Sequence, residues 1–175
     1  MKFSSVATKV PVIIAISWSL FQLYSASFGI FLTYEQRAIH LAFGFTLAFL
    51  LYPAFKKSAK GAMKIEGVIL ALLSIAVFSY IGMNRVYLES RFPLTTPLSP
   101  LEMVLGTFAI ILTLEATRRV LGWPMVIIAS AFLVYAYFGA YLPPPLSHRG
   151  WSLRHIVDYS YLTTLGIFGV ATAVS

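Results

Sequence analysis

A small group of ionisable side chains lies near the end of the chain, in a spacing that a metal site could use. His148 and His155 are seven residues apart, so they share one face of a helix, and Asp158 is the nearest third ligand. The alternative, which we favour, is that they are polar residues at a membrane surface. The chain has no cysteine and no His-Glu-x-x-His, Gly-x-Ser-x-Gly or P-loop motif. We therefore predict no enzyme activity, no metal and no cofactor.

A second charged group points to anchoring rather than catalysis. Glu115 precedes Arg118 and Arg119 by three and four residues, which is the favoured order for ion pairs on a helix. Cations are also stabilised near the carboxyl end of a helix. We predict that these three residues anchor a helix end at the inner membrane face. If exposed, each pair contributes only about 0.2–0.5 kcal/mol.

Three polar residues fall inside or beside apolar segments. His40 and Glu66 lie near segment ends, so we expect their side chains to reach the head groups. Gln22 lies deeper, and we expect it to hydrogen-bond to a neighbouring helix.

The composition indicates the solvent in which these groups must be positioned. Hydrophobic residues make up 59% of the 175 residues and charged residues 11%, against about 25% charged in soluble domains. Lipid suits this balance, so we predict an all-α, polytopic membrane helix bundle. The net charge of +7 does not indicate nucleic-acid binding, because the basic residues are spread between apolar runs.

Five apolar segments are each long enough to cross a membrane as a helix. The fourth begins with a capping box, in which Ser99 is the N-cap, Pro100 the first and Glu102 the third helical residue. The polar segment 147–158 carries apolar residues between its charges and predicts an interfacial helix. The spans are residues 10–32, 38–55, 65–84, 99–121 and 124–142, and residues 162–175 begin a sixth element.

The distribution of basic residues predicts a cytoplasmic N-terminus. With that orientation all six lysines lie on the cytoplasmic side. The short loop that carries Lys56, Lys57, Lys60 and Lys64 is the strongest argument for this orientation. Segments 87–99 and 143–150 then lie outside. Exposed loops commonly carry recognition, so Arg91 and Arg149 are candidates for docking another protein.

One ordered set of motifs resembles a known family. The text LEATRRVLGWPMVIIASAFLVYAYFGAYLPPPLSHRGWS covers residues 114–152, and YLTTLGIFG covers residues 161–169. Together they resemble the fused permeases of tripartite ATP-independent periplasmic (TRAP) transporters, of the TAXI type. Leu165 stands where that family would have a glutamate, and three prolines replace a Pro-Gly. The matching positions are Glu115 to Arg119, Gly122, Tyr135, Gly139, Leu142, Pro143, His148, Gly150 and Gly166 to Gly169.

The resemblance implies a division of labour and a location in the cell inner membrane. Residues 1–121 are similar to a four-helix small-subunit scaffold, and residues 122–175 to a connecting helix, an interfacial helix and the start of a truncated transport unit. The family takes up organic acids from an extracytoplasmic solute-binding protein, with sodium as the expected coupling ion. The substrate-binding residues are expected beyond Ser175, and the rest of the large unit is an expected partner. The alternative is a stand-alone small membrane subunit that stabilises a partner membrane protein.

Overall fold

The computed structural model describes residues 3–29, 31–54 and 65–169, with side chains from Lys9 onward. Within these ranges the chain is helical and contains no β-strand, so the all-α prediction is confirmed. The helices divide between two compact units, Met1–Arg85 and Val86–Ser175. This division lies earlier in the chain than the boundary predicted after residue 121. The predicted scaffold and transport domains are a functional division and stay a prediction.

The first unit contains three long helices, α1 (Phe3–Phe28), α2 (Thr33–Leu51) and α3 (Ile65–Met83). Helix α2 packs against both neighbours. On its α3 side, the ring of Phe45 meets the ring of Phe78 edge-on, with centroids 4.9 Å apart. Close approach of the backbones is possible because Gly67 lacks a side chain. A Cβ there would lie 2.6 Å from the Phe49 carbonyl oxygen.

The second unit is organised around α5 (Pro100–Val120), which packs against α6 (Trp123–Phe138) and α7 (Leu153–Tyr161). The short α4 (Arg85–Ser90) precedes it, and a 3₁₀ turn (Gly139–Tyr141) follows α6. Between α5 and α6 the chain reverses at Gly122, whose φ of +90° favours glycine. Helix α7 lies against Gly106 of α5, where an added Cβ would be 2.5 Å from Val157 Cγ1.

The start of α5 confirms the predicted capping box. The Ser99 hydroxyl accepts a hydrogen bond from the Glu102 backbone N–H at 3.2 Å. In return the Ser99 N–H donates to Glu102 Oε2 at 2.7 Å. Two N–H groups that the helix cannot pair internally are thereby satisfied.

Among the residues that the structure describes, four helices are long and apolar enough to cross a membrane, which indicates a membrane protein. They are Lys9–Phe28, Ile65–Met83, Pro100–Val120 and Trp123–Tyr141. Helix α6 buries none of its residues, so its apolar side chains require lipid or another protein around them. The predicted second span, α2, is not among the four, because its first turns carry Glu35, Arg37 and His40. Five spans therefore stay a prediction.

Two further predictions concern position relative to the membrane. The lysines at 56, 57, 60 and 64, which decide the predicted orientation, lie outside the described residues. The predicted interfacial helix exists as α7 but begins later, at Leu153, and its apolar residues Ile156 and Val157 are buried. Val157 packs where Gly106 of α5 leaves room, whereas Leu153 is exposed, so the interfacial position of α7 stays a prediction.

Candidate functional site

The end of α6 and the following loop are held together by His148. The His148 backbone N–H donates to the Gly139 carbonyl at 2.9 Å. Its ring lies edge-on to Tyr135, with centroids 4.7 Å apart, and Nε2 is 3.1 Å from the Tyr135 carbonyl oxygen. The Gly150 N–H donates to His148 Nδ1 at 3.0 Å. Nδ1 is therefore the acceptor of this bond, and Nε2 is the nitrogen that faces the Tyr135 carbonyl.

Two glycines make this contact possible. At Gly139 an added Cβ would lie 1.8 Å from His148 Nε2, so the ring occupies the space that any other residue would need. Gly150 has a φ of +70°, the left-handed region in which glycine carries little steric cost. The Tyr135 hydroxyl also donates to the Leu146 carbonyl at 3.0 Å. We call this set of contacts between the end of α6 and the loop up to Gly150 the loop closure.

A second cluster in the same unit is a buried ion pair between Arg91 and Asp158. Their side chains are 2% and 1% exposed, so the charges are withdrawn from solvent. Arg91 also donates to the Thr96 carbonyl at 2.9 Å, and Asp158 Oδ2 accepts from the Leu94 N–H at 2.8 Å. Leu94 has a φ of +64°, a strained conformation for leucine, and this hydrogen bond helps to hold it.

Glu102 adds a second carboxylate to this environment. It is 1% exposed, and its Oε1 is buried without a hydrogen-bond partner among the described residues. Burial alone would lower the pKa of Arg91, but the hydrogen bond and charge of Asp158, together with the charge of Glu102, raise it above the usual value. The guanidinium is therefore held in its charged form.

This geometry corrects one predicted docking residue. Arg91 was expected to present its charge on an outer loop, but it is 7% exposed and paired with Asp158. The reason is a contact 67 residues away in sequence, which no local pattern indicates. Arg149 is exposed, so the docking prediction now rests on that residue.

The predicted ion pairs of Glu115 with Arg118 and Arg119 on α5 are present. Arg118 makes a two-point contact with Glu115, with Nε 2.7 Å from Oε2 and Nη2 2.8 Å from Oε1. Arg119 Nε lies 2.7 Å from Oε1. The guanidinium of Arg118 also sits over the Trp123 ring, 5.6 Å from its centroid. Burial differs from the expectation of an exposed pair, because the Arg119 side chain is only 3% exposed.

The first unit contains the three polar residues that lie inside or beside apolar segments. Gln22 Nε2 lies 2.6 Å from His40 Nδ1, which confirms the predicted hydrogen bond between helices. The His40 ring also meets Trp18 of α1 edge-on at 4.9 Å. That its side chain reaches the head groups stays a prediction. Glu66 is partly exposed, although its Oε1 is buried and lacks a hydrogen-bond partner in the part of the chain that the structure describes, so its solvated position stays a prediction.

The three candidate metal ligands do not converge. His148 contacts Tyr135, and Asp158 pairs with Arg91. His155 Nδ1 lies 2.7 Å from the Ser152 hydroxyl oxygen, which caps α7. Within the described ranges no three His, Cys, Asp or Glu side chains group together in a way that would hold a metal ion.

Comparison with known proteins adds no assignment. No protein family, curated protein or solved structure matches this chain.

Proposed function

We propose that this chain is the membrane scaffold portion of a secondary active transporter of the TRAP type. The complete transporter takes up organic acids that an extracytoplasmic solute-binding protein delivers, and sodium is the coupling ion. The chain itself holds no catalytic role in this proposal. It anchors the permease in the inner membrane and supports the large transport unit, which carries the substrate-binding residues.

One observation carries the proposal: residues that match the family motifs at separate positions of the sequence lie close together in the structure. Tyr135, Gly139, His148 and Gly150 are spread over 16 positions of the sequence, yet they form one closure at the end of α6. If each of these residues matched the family motif by chance, there would be no reason to expect them to contact one another. The contacts instead give a physical reason why these residue types occur in this order, with glycine where the histidine ring needs room.

The charges of the second unit suit a scaffold. The α5 end is fixed by Glu115, Arg118 and Arg119, and the segment before α5 is tied to α7 by Arg91 and Asp158. Short-range fixed contacts of this kind hold helices in place while another unit moves. The exposed Arg149 lies in the 143–150 segment, and we assign it to docking of the solute-binding protein.

Sodium-driven uptake of organic acids into liposomes tests the proposal. Liposomes that contain residues 1–175 and a cognate binding protein should take up no more acid than empty liposomes, because a transport site needs broken helices and polar groups around a midplane cavity. Adding the large transport unit as a second polypeptide should produce uptake. Uptake by the chain alone would overturn the scaffold assignment. Equal uptake by the large unit with and without this chain would do so as well.

A further inference from the structure

The first unit contains a groove along α2 and α3 that no part of the proposed function uses. Its volume is about 550 Å³. The α2 residues that line it include Glu35, Ala38, Ala42 and Thr46, which recur every three or four residues and therefore lie on one helix face. Eleven residues of helix correspond to a length of about 16 Å.

Small side chains create this groove. Ala38 and Ala42 of α2 face Gly82 of α3, and none of them has atoms beyond Cβ to fill the space. An added Cβ at Gly82 would find its nearest neighbour, Ala38 Cβ, 3.9 Å away. Ile14, Ile75 and Phe78 complete the apolar wall.

Two of the polar side chains at the groove make internal contacts, and the third, Ser79, is exposed. The Thr46 hydroxyl donates to the Ala42 carbonyl at 2.6 Å. Glu35 accepts from the Leu32 N–H at 3.2 Å and forms an ion pair with Arg85. A transported organic acid would need free cationic or N–H donors along the wall, so this lining suits hydrocarbon instead.

The dimensions also restrict the occupant. A volume of about 550 Å³ over a length of about 16 Å gives a mean cross-section of about 34 Å². An extended hydrocarbon chain fits a groove of these dimensions.

One end of the groove is charged. Glu35 lines this end, and its ion-pair partner Arg85 lies beside it. The Arg85 side chain is 42% exposed while that of Glu35 is 16% exposed, so the guanidinium is the group presented outward. A guanidinium carries five N–H donors in a planar fork that matches phosphate oxygens.

We propose that this groove binds one acyl chain of a membrane phospholipid, with the lipid phosphate at Arg85. The apolar wall takes the chain, and the exposed guanidinium takes the head group. Helix α3, which forms one wall of the groove, is long and apolar enough to cross the bilayer. The inference does not depend on the transport assignment.

Native mass spectrometry of the full chain, purified in detergent and supplied with palmitoyl-oleoyl phosphatidylglycerol, tests this. Ala42→Phe fills the groove, and we expect lipid occupancy to fall by at least about tenfold, because several methylenes lose their site. The matched control is Leu72→Phe, which adds the same ring type at an exposed α3 position outside the groove and should bind as wild type does. Gly82→Leu fills the groove from the α3 side and gives the same test if Ala42→Phe does not fold.

The variant Arg85→Gln distinguishes binding of the lipid head group from binding of the acyl chain. This variant should lose the preference for phosphatidylglycerol over diacylglycerol with the same chains, while still retaining lipid. Equal phosphatidylglycerol occupancy in wild type and in a folded groove-filling variant would overturn the proposal. So would a wild type that retains no lipid, or a groove-filling variant that loses a second copy of the chain instead of lipid.

Discussion

The interior of the second unit contains a buried ion pair whose two charges stabilise each other. Arg91 and Asp158 are almost fully buried, and each would be costly to leave alone in an apolar environment. Asp158 also accepts the N–H of Leu94, so one carboxylate fixes both the guanidinium and the strained segment that follows it. The pair therefore joins the 91–96 segment to α7.

Asp158→Asn should destabilise the folded chain strongly. Removing the carboxylate charge leaves the Arg91 guanidinium buried without its counter-charge, which costs about 3–5 kcal/mol in comparable pairs. Chemical unfolding in detergent measures the change, and Glu89→Gln at an exposed α4 position is the control, with an expected change below about 0.5 kcal/mol. The double variant Arg91→Met with Asp158→Leu should recover much of the loss. Equal stability of Asp158→Asn and Glu89→Gln would contradict a buried pair.

Glu115→Gln should have an intermediate effect. Exposed helical pairs contribute about 0.2–0.5 kcal/mol each, but Arg119 is nearly buried, so we expect a loss of about 1–2 kcal/mol. If these residues anchor the proposed permease, its substrate choice should not change. Unfolding measurements and the uptake profile for a set of organic acids check both parts. A changed substrate profile would refute the anchoring role.

At the scale of elements, helix ends and glycine contacts determine how the chain turns. The start of α5 is set by reciprocal hydrogen bonds of Ser99 and Glu102. The end of α6 is set differently, by the ring of His148 lying where a side chain at position 139 would be. The α6 end thus depends on one glycine.

Gly139→Ala should disrupt the loop closure. Its Cβ would displace the His148 ring, and overpacking of this kind costs about 1–3 kcal/mol. Hydrogen exchange should accelerate at the amides of His148 and Gly150, whose hydrogen bonds to the Gly139 carbonyl and to His148 Nδ1 would be strained or lost. Gly82→Ala is the matched control, since its nearest neighbour is 3.9 Å away, and it should leave stability equal or higher. Unchanged exchange in Gly139→Ala would show that the closure does not depend on this contact.

Local features of this fold were predictable from sequence, and long-range ones were not. The capping box at Ser99 and the Glu115 pairs depend on residues three or four positions apart, so their spacing indicates them directly. The pairing of Arg91 with Asp158 depends on how α7 packs, and their spacing in the sequence does not indicate it. The resemblance named Tyr135, Gly139, His148 and Gly150 together, but only the structure shows that they touch.

At the scale of the whole molecule, the central question is which helices cross the membrane. Among the described residues, four helices meet the length and hydropathy that a span requires. Helix α2 does not, because charged residues in its first turns lower its mean hydropathy. Its paired groups reduce the cost of entering the bilayer, since Glu35 is bonded to Arg85 and His40 to Gln22. We therefore expect α2 to cross, which makes five spans.

Cysteine accessibility in intact cells tests this most directly, since the chain has no cysteine of its own. Single substitutions Ser4→Cys, Lys60→Cys and Thr95→Cys report the side of the membrane at the start of α1, between α2 and α3, and between α4 and α5. With five spans and a cytoplasmic N-terminus, only Thr95→Cys should react with a membrane-impermeant maleimide. If α2 stays outside, Lys60→Cys would react and Thr95→Cys would be protected, and that result would contradict the five-span account.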